Sequence, residues 1–150
     1  MISLKDKVVI ITGASRGIGE GIARSFAAED ARLVLCGRDR QGLKKAAEAV
    51  GLPKIRLTTV IADISKPYGM RKIARKTLAK FRRADILVNN AGVGLFKSLD
   101  ETTEEEFDLL MDTNLKAVFY SFREFLPLMR KQRGGHIINI SSVAGRIGQP

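Results

Sequence analysis

Lys7-Val8-Val9-Ile10-Ile11-Thr12-Gly13-Ala14-Ser15-Arg16-Gly17-Ile18-Gly19 runs from an unbroken apolar stretch into a turn spaced by three glycines. The stretch 7–12 is short and apolar throughout, so it reads as a strand buried on both faces, as in parallel sheets. The glycines after it let the chain turn tightly and let a ligand approach without meeting a Cβ. Ile18, Ile22 and Phe26 then recur at helical spacing and predict a helix with that apolar stripe. A strand, a glycine-rich turn and a helix, in that order, aim free N–H groups and a positive helix end at one spot. That is where a phosphate binds. The spacing G-x-x-x-G-x-G differs from the common G-x-G-x-x-G fingerprint. The Gly-Lys-[Ser/Thr] ending of a nucleoside triphosphatase is missing, which disfavours that class.

Outward from this stretch the same alternation continues. Residues 32–36 and 56–62 predict a second and third strand, separated by a short helix marked by Leu43, Ala46, Ala47 and Val50. Pro67 opens the next helix, where proline is tolerated, with Met70, Ile73, Ala74, Thr77, Leu78 and Phe81 as its apolar stripe. Residues 85–88 predict a fourth strand, followed by Asn89-Asn90-Ala91-Gly92. A long helix comes next, with Thr103 and Glu106 as a capping box. Its expected stripe is Phe107, Leu110, Met111, Leu115, Val118, Phe119, Phe122, Leu126 and Met129, and Pro127 should kink or interrupt it. Residues 136–140 are the fifth strand. Strands joined through helices predict an α/β fold, a Rossmann-type doubly wound parallel sheet with helices on both faces. Ligands bind such sheets at the carboxyl ends of the strands.

Composition bounds the rest. A chain of 150 residues is about one domain by length. Its 45% hydrophobic and 28% charged residues are ordinary for a globular protein and argue against disorder. No apolar run approaches the ~18 residues of a membrane span. The start of the chain has no apolar signal region, so no membrane is expected. With a single cysteine, Cys36, no intrachain disulfide forms, which points to a reduced, cytoplasmic setting. One cysteine and one histidine leave a zinc site implausible. The charge is unusual: 26 Lys+Arg against 16 Asp+Glu gives +10. That invites a basic nucleic-acid-binding module as the rival reading. Its best feature is 66–83, where Lys66, Arg71, Lys72, Arg75, Lys76, Lys80, Arg82 and Arg83 occur without an acidic residue. A solvated helix face explains the same pattern, and no aromatic residues interleave to stack bases.

Several residues after the strands carry chemistry. At the end of the second strand glycine stands where NAD sites commonly place a carboxylate, and Arg38 follows. Arg38 and Arg16 together suit the extra phosphate of NADP. Asp39 keeps NAD open, since a one-residue slip would bring a carboxylate to the ribose. Asn114 falls within the expected apolar stripe, so spacing alone makes it a buried structural amide bonded to backbone. Ser141 and Ser142 end the fifth strand at the ligand-binding rim. The single histidine, His136, lies at the far end of that strand, which argues against a hydrolytic Ser-His pair.

Together, the loop 12–19, Asp63 after the third strand, Asn89-Asn90-Ala91-Gly92, Asn114 and Ile140-Ser141-Ser142-Val143-Ala144-Gly145 resemble the short-chain dehydrogenase/reductase family along essentially the whole chain. The resemblance implies a dinucleotide-binding domain over 1–150, incomplete at its C-terminal end. Gly13, Ser15, Arg16, Gly17, Ile18 and Gly19 would hold the cofactor phosphates, and Asp63 and Ile64 the adenine. Asn90, Ala91 and Gly92 would run beside the cofactor, with Asn89 and Asn90 bracing the sheet. Asn114 would hold a water of the proton relay, and Ser142 would orient a substrate carbonyl. Arg38 matches the NADP-preferring branch. The implied activity is interconversion of a small-molecule ketone and secondary alcohol with NADP(H), by a homo-oligomer, dimer or tetramer.

One element of the family pattern is missing. The family's Tyr-x-x-x-Lys lies a dozen or so residues beyond the matched serine, whereas this sequence ends eight residues past Ser142. Tyr68 and Lys72 have that spacing, but sit far from Ser142 in the family layout. An unperturbed tyrosine, pKa ≈ 10, is a poor base until a neighbouring lysine lowers it. Without the pair, the proton transfer that completes carbonyl reduction has no agent. The chain as given is therefore expected to be a truncated portion, inactive alone, with its fifth strand a partly uncovered edge. A non-catalytic NADP-binding regulator is the other alternative.

Overall fold

The computed structural model describes residues 3–143. Five strands, β1 (Val8–Thr12), β2 (Arg32–Gly37), β3 (Leu57–Ile61), β4 (Ile86–Asn89) and β5 (His136–Asn139), alternate with helices α1 (Gly17–Ala28), α2 (Arg40–Val50), α3 (Pro67–Phe81), α4 (Glu104–Met111) and α5 (Ala117–Gln132). The strands form one parallel sheet in the order β3-β2-β1-β4-β5. The chain builds outward from β1 on one side, then crosses back to add β4 and β5 on the other. The break in strand order between β1 and β4 is the place where such sheets open a crevice for ligands.

β1 is fully buried because both its faces are covered. Val9 and Ile11 point into the layer formed with α1 and α2, among Ala23, Leu43 and Ala46. Val8 and Ile10 point the other way, into the layer with α3 and α5, among Met70, Ile73 and Phe125. The alternation of side chains along a strand makes this division, and it explains why the strand reads as uniformly apolar. β5 is an outer strand with little cover, and Ile138 and Ile140 are 41% and 40% exposed.

Two polar clamps hold the end of the sheet away from the crevice. Asp85, 8% exposed just before β4, accepts from the Val8 amide (2.9 Å) and from Arg83 through both oxygens (2.8 and 2.6 Å). Gln132, at the end of α5, exchanges two bonds with the Ala84 backbone, at 3.0 and 2.8 Å. The expected stripe of α3 is observed, with Met70, Ile73, Ala74, Thr77 and Phe81 buried. Its basic residues are all exposed. Five of the eight between 66 and 83 are engaged within the chain. Lys66, Arg71 and Arg83 pair with Asp112, Glu124 and Asp85, and Lys72 and Lys80 donate to the carbonyls of Ile61 and Lys54.

The long helix departs from expectation. The capping box is present, with Thr103 Oγ1 accepting from the Glu106 amide and the Glu106 carboxylate from the Thr103 amide. After α4, however, Asp112–Lys116 forms a π turn before α5 begins. A wider turn rotates everything beyond it, so a 3.6-residue stripe cannot be carried across. The buried face of α5 is Ala117, Ser121, Phe125 and Met129. Leu115 and Phe119, expected inside, are 58% and 59% exposed; Phe107, which precedes the turn, is itself 50% exposed. Pro127 does not end the helix, which runs on to Gln132. Proline lies on an exposed position there, so the carbonyl it leaves unpaired one turn back meets solvent.

Candidate functional site

The crevice at the carboxyl edge of the sheet is a cleft of about 450 Å³. It is lined by Gly13, Ser15, Arg16, Gly17, Ile18 and Gly19 from the first loop and helix start, Arg38 after β2, Asp63 and Ile64 after β3, and Asn90, Ala91 and Gly92 after β4. All twelve residues expected to bind a cofactor therefore meet in one cleft. Gly37, Asp39, Ala62, Val93 and Thr113 complete the lining.

The loop is built by close approach. Gly13 has φ +64°, and a Cβ on it would sit 2.8 Å from Ala91 Cα. A Cβ on Gly19 would collide with the Gly13 carbonyl. Thr12, fully buried at the end of β1, ties this loop to the next strand end. Its hydroxyl donates to the Val88 carbonyl (3.3 Å) and accepts from the amides of Asn90 (3.0 Å) and Ala91 (3.1 Å). The Asn90 side chain returns to the Thr12 and Gly13 carbonyls at 2.9 and 3.3 Å. Asn89 bridges β4 to β5 by donating to the Asn139 side chain at 2.8 Å. Thr12 thus acts as a hub, a role the sequence signalled only by a polar residue closing an apolar strand.

The start of α1 faces this cleft, and Arg16, its N-cap, gives it no side-chain cap. The position a Cβ would take on Gly17, φ +58°, has no atom within 4 Å. This open cradle at a helix N-terminus suits a phosphate. Ile18 belongs to the cleft wall: it is 68% exposed, not part of a buried stripe. The packed face of α1 runs through Gly19, Ala23 and the half-buried Ile22 and Phe26. Arg16 and Arg38 are exposed and form no hydrogen bond or ion pair among the described residues. Asp39 caps α2, its Oδ1 accepting from the Gln41 amide at 2.9 Å.

Asp63 closes a tight turn by accepting from the Ser65 amide and hydroxyl at 3.0 and 2.7 Å. Gly69 lets α3 pass directly over it, since a Cβ there would run into the Asp63 carbonyl. Sequence reading missed this glycine, because the contact exists only once β3 and α3 are packed. Cys36 is fully buried at the end of β2, and burial pushes its thiol pKa up, so it stays protonated.

Asn114 corrects its expected burial. It is exposed at the middle of the π turn, and both ends of its amide grip Val93. Oδ1 accepts from the Val93 amide and Nδ2 donates to the Val93 carbonyl, each at 2.9 Å. The side chain therefore anchors the segment that leaves β4. Asp112 anchors the same turn, and the Lys116 hydrogen bond, with Lys66 nearby, holds its carboxyl below the usual range. Thr113 lines the cleft, but its hydroxyl is buried and has no hydrogen-bond partner among the described residues. Ser142 follows β5 at the same edge of the sheet but is not part of the cleft lining. Ala144 and Gly145 of the expected motif lie outside the described residues.

A parallel sheet that opens a crevice at its carboxyl edge, beside a glycine loop and a helix start, is a fold of the Rossmann class. The family model for short chain dehydrogenase matches residues 7–150, and the chain belongs to that family. It is 39% identical over 150 residues to an uncharacterised oxidoreductase of Staphylococcus saprophyticus, covering 100% of this chain and 60% of the relative. It is 38% identical over 144 residues to the sepiapterin reductase of Chlorobaculum tepidum, covering 91% and 59%. Among solved structures it resembles a metagenomic short-chain oxidoreductase in complex with NADP, with TM-score 0.89, 41% identity and coverage of 96% and 66%. It also resembles a short-chain dehydrogenase/reductase from Burkholderia phymatum in complex with NAD, with TM-score 0.95, 30% identity and coverage of 100% and 54%. The chain spans about 60% of the length of these two curated relatives.

Proposed function

We propose that this chain is the NADP(H)-binding portion of an oxidoreductase that interconverts a ketone and a secondary alcohol. The observation that carries the reading is the pair of unpartnered arginines, Arg16 and Arg38, on one cleft, with the Asp39 carboxylate beside them engaged through Oδ1 at the cap of α2. A carboxylate held by a helix start is less able to accept from ribose hydroxyls, while two free guanidiniums suit a phosphate dianion. When bound, the nicotinamide cofactor supplies or accepts the hydride. The loop 13–19 holds the pyrophosphate, and Asp63 and Ile64 flank the adenine. Asn90, Ala91 and Gly92 run beside the cofactor, and Asn114 fixes the neighbouring backbone at Val93 and holds a water of the proton relay. Ser142 orients the carbonyl oxygen. No described helix is long and apolar enough to cross a membrane, and a cytoplasmic protein with a small-molecule substrate is our reading. The exposed Phe107 of α4, Leu115 of the π turn and Phe119 of α5 support self-association.

Equilibrium titration of NADPH and NADH onto the chain tests this. NADPH should bind at least tenfold more tightly than NADH. Arg38→Ala should weaken NADPH at least tenfold and NADH less than threefold. Equal affinity for the two cofactors, or an Arg38→Ala variant with its preference intact, would refute the NADP assignment.

A further inference from the structure

The two arginines of the cleft come from different elements, and what sets their surroundings is the start of α2. Gly42, in the first turn of α2, packs against Asp39 and Ser15, the chain neighbours of Arg38 and Arg16. A Cβ there would collide with Asp39 Oδ2 and sit 3.0 Å from Ser15 Cβ. Asp39 Oδ1 is meanwhile held by the Gln41 amide. The carboxylate is thus kept on the helix start, where backbone N–H groups and the helix dipole offset its charge. Any side chain at position 42 would displace it, or push the glycine loop away through Ser15.

We propose that Gly42 is a positioning residue for cofactor selection, acting through Asp39. Resting on the NADP reading above, it keeps Asp39 on the cap of α2 and leaves Arg38 and Arg16 free for the 2′-phosphate. Arg38 is the chain neighbour of Asp39 and has no other partner among the described residues. A carboxylate freed from the cap would pair with it and compete with the phosphate for the same guanidinium.

Calorimetric titration with adenosine 2′,5′-bisphosphate and with AMP separates the two phosphates, since the ligands differ only at the 2′ position. In wild type the bisphosphate binds more tightly. Gly42→Ala should lower the affinity ratio of bisphosphate to AMP at least fivefold, with AMP binding itself changed less than twofold. Asp39→Asn keeps a good cap without charge, so it should leave AMP binding within twofold and not lower the ratio. Adding Asp39→Asn to Gly42→Ala should restore the ratio to within twofold of wild type. A ratio unchanged in Gly42→Ala, a parallel loss of both ligands, or a double variant without recovery overturns the inference alone. A fivefold loss of AMP affinity in Asp39→Asn also overturns it, because Asp39 would then serve the ribose. A wild type that binds neither ligand overturns the NADP reading, and this inference with it.

Discussion

Thr12→Val will cost the domain about 2–3 kcal/mol, read by urea unfolding at 25 °C. The substitution keeps the shape of the side chain and removes one oxygen. That oxygen accepts from the amides of Asn90 and Ala91 and donates to the Val88 carbonyl, in a residue with no solvent exposure. A buried N–H left without an acceptor costs about 1–3 kcal/mol, more than the net worth of the bond it once made. Two are orphaned here, and some relaxation of the loop offsets part of the loss. For a domain of this size such a loss lowers Tm by roughly 4–12 °C. Thr12→Ser retains the oxygen and should stay within about 1 kcal/mol of wild type. A valine variant as stable as wild type would mean that the hub does not organise the strand ends. The same variant should also weaken NADPH binding, because Asn90 and Ala91 line the cleft from that anchor.

The second large effect belongs to the opposite end of the sheet. Asp85→Asn removes a charge that Arg83 holds through two bonds, and one of the acceptor oxygens. Burial raises the Asp85 pKa, but the Arg83 hydrogen bond, the Val8 amide and the charges of Arg83 and Lys7 lower it further, leaving it below the ordinary value. A carboxyl with a depressed folded pKa stabilises the fold above its unfolded pKa, about 3.9 for aspartate, and loses that contribution as pH falls through the folded value. The variant should be about 2 kcal/mol less stable than wild type at pH 7, since charge-assisted hydrogen bonds run to about 1.5–3 kcal/mol. The gap should narrow as pH falls below about 3.9 and close once pH has passed the lower folded value, where wild type has protonated the same group. Chemical unfolding at a series of pH values measures this. A gap that stayed constant down to pH 2 would assign the loss to packing and not to the carboxylate charge.

Sequence reading succeeded where structure is decided locally. Strand and helix order followed from apolar runs such as 7–12 and from the stripe Met70 to Phe81, because those side chains answer to the period of their own element. That the twelve residues would meet in one cleft was legible for a related reason. Apart from Thr113, the lining residues all follow strand ends, and a parallel sheet brings strand ends together. The failures share a different cause. Asn114, Leu115 and Phe119 were assigned to a buried face by extending one period through Asp112–Lys116. The π turn there breaks the period without any glycine or proline to mark it. Ile18 matched a helical stripe yet lies on the first turn, where the helix has cleared the sheet. Gly42 and Gly69 looked like ordinary helix residues, since their reason is a neighbour from another element.

Cys36 carries one last consequence. Its sulfur lies at the end of β2 with no solvent exposure, and its thiol is kept protonated by burial. A thiol in that state reacts with alkylating or disulfide reagents only after the surrounding sheet opens. As the single cysteine of the chain, it is a built-in clock for that opening. The rate of its labelling reports how often the middle of the sheet comes apart, and any ligand that holds the neighbouring strand ends together slows the clock.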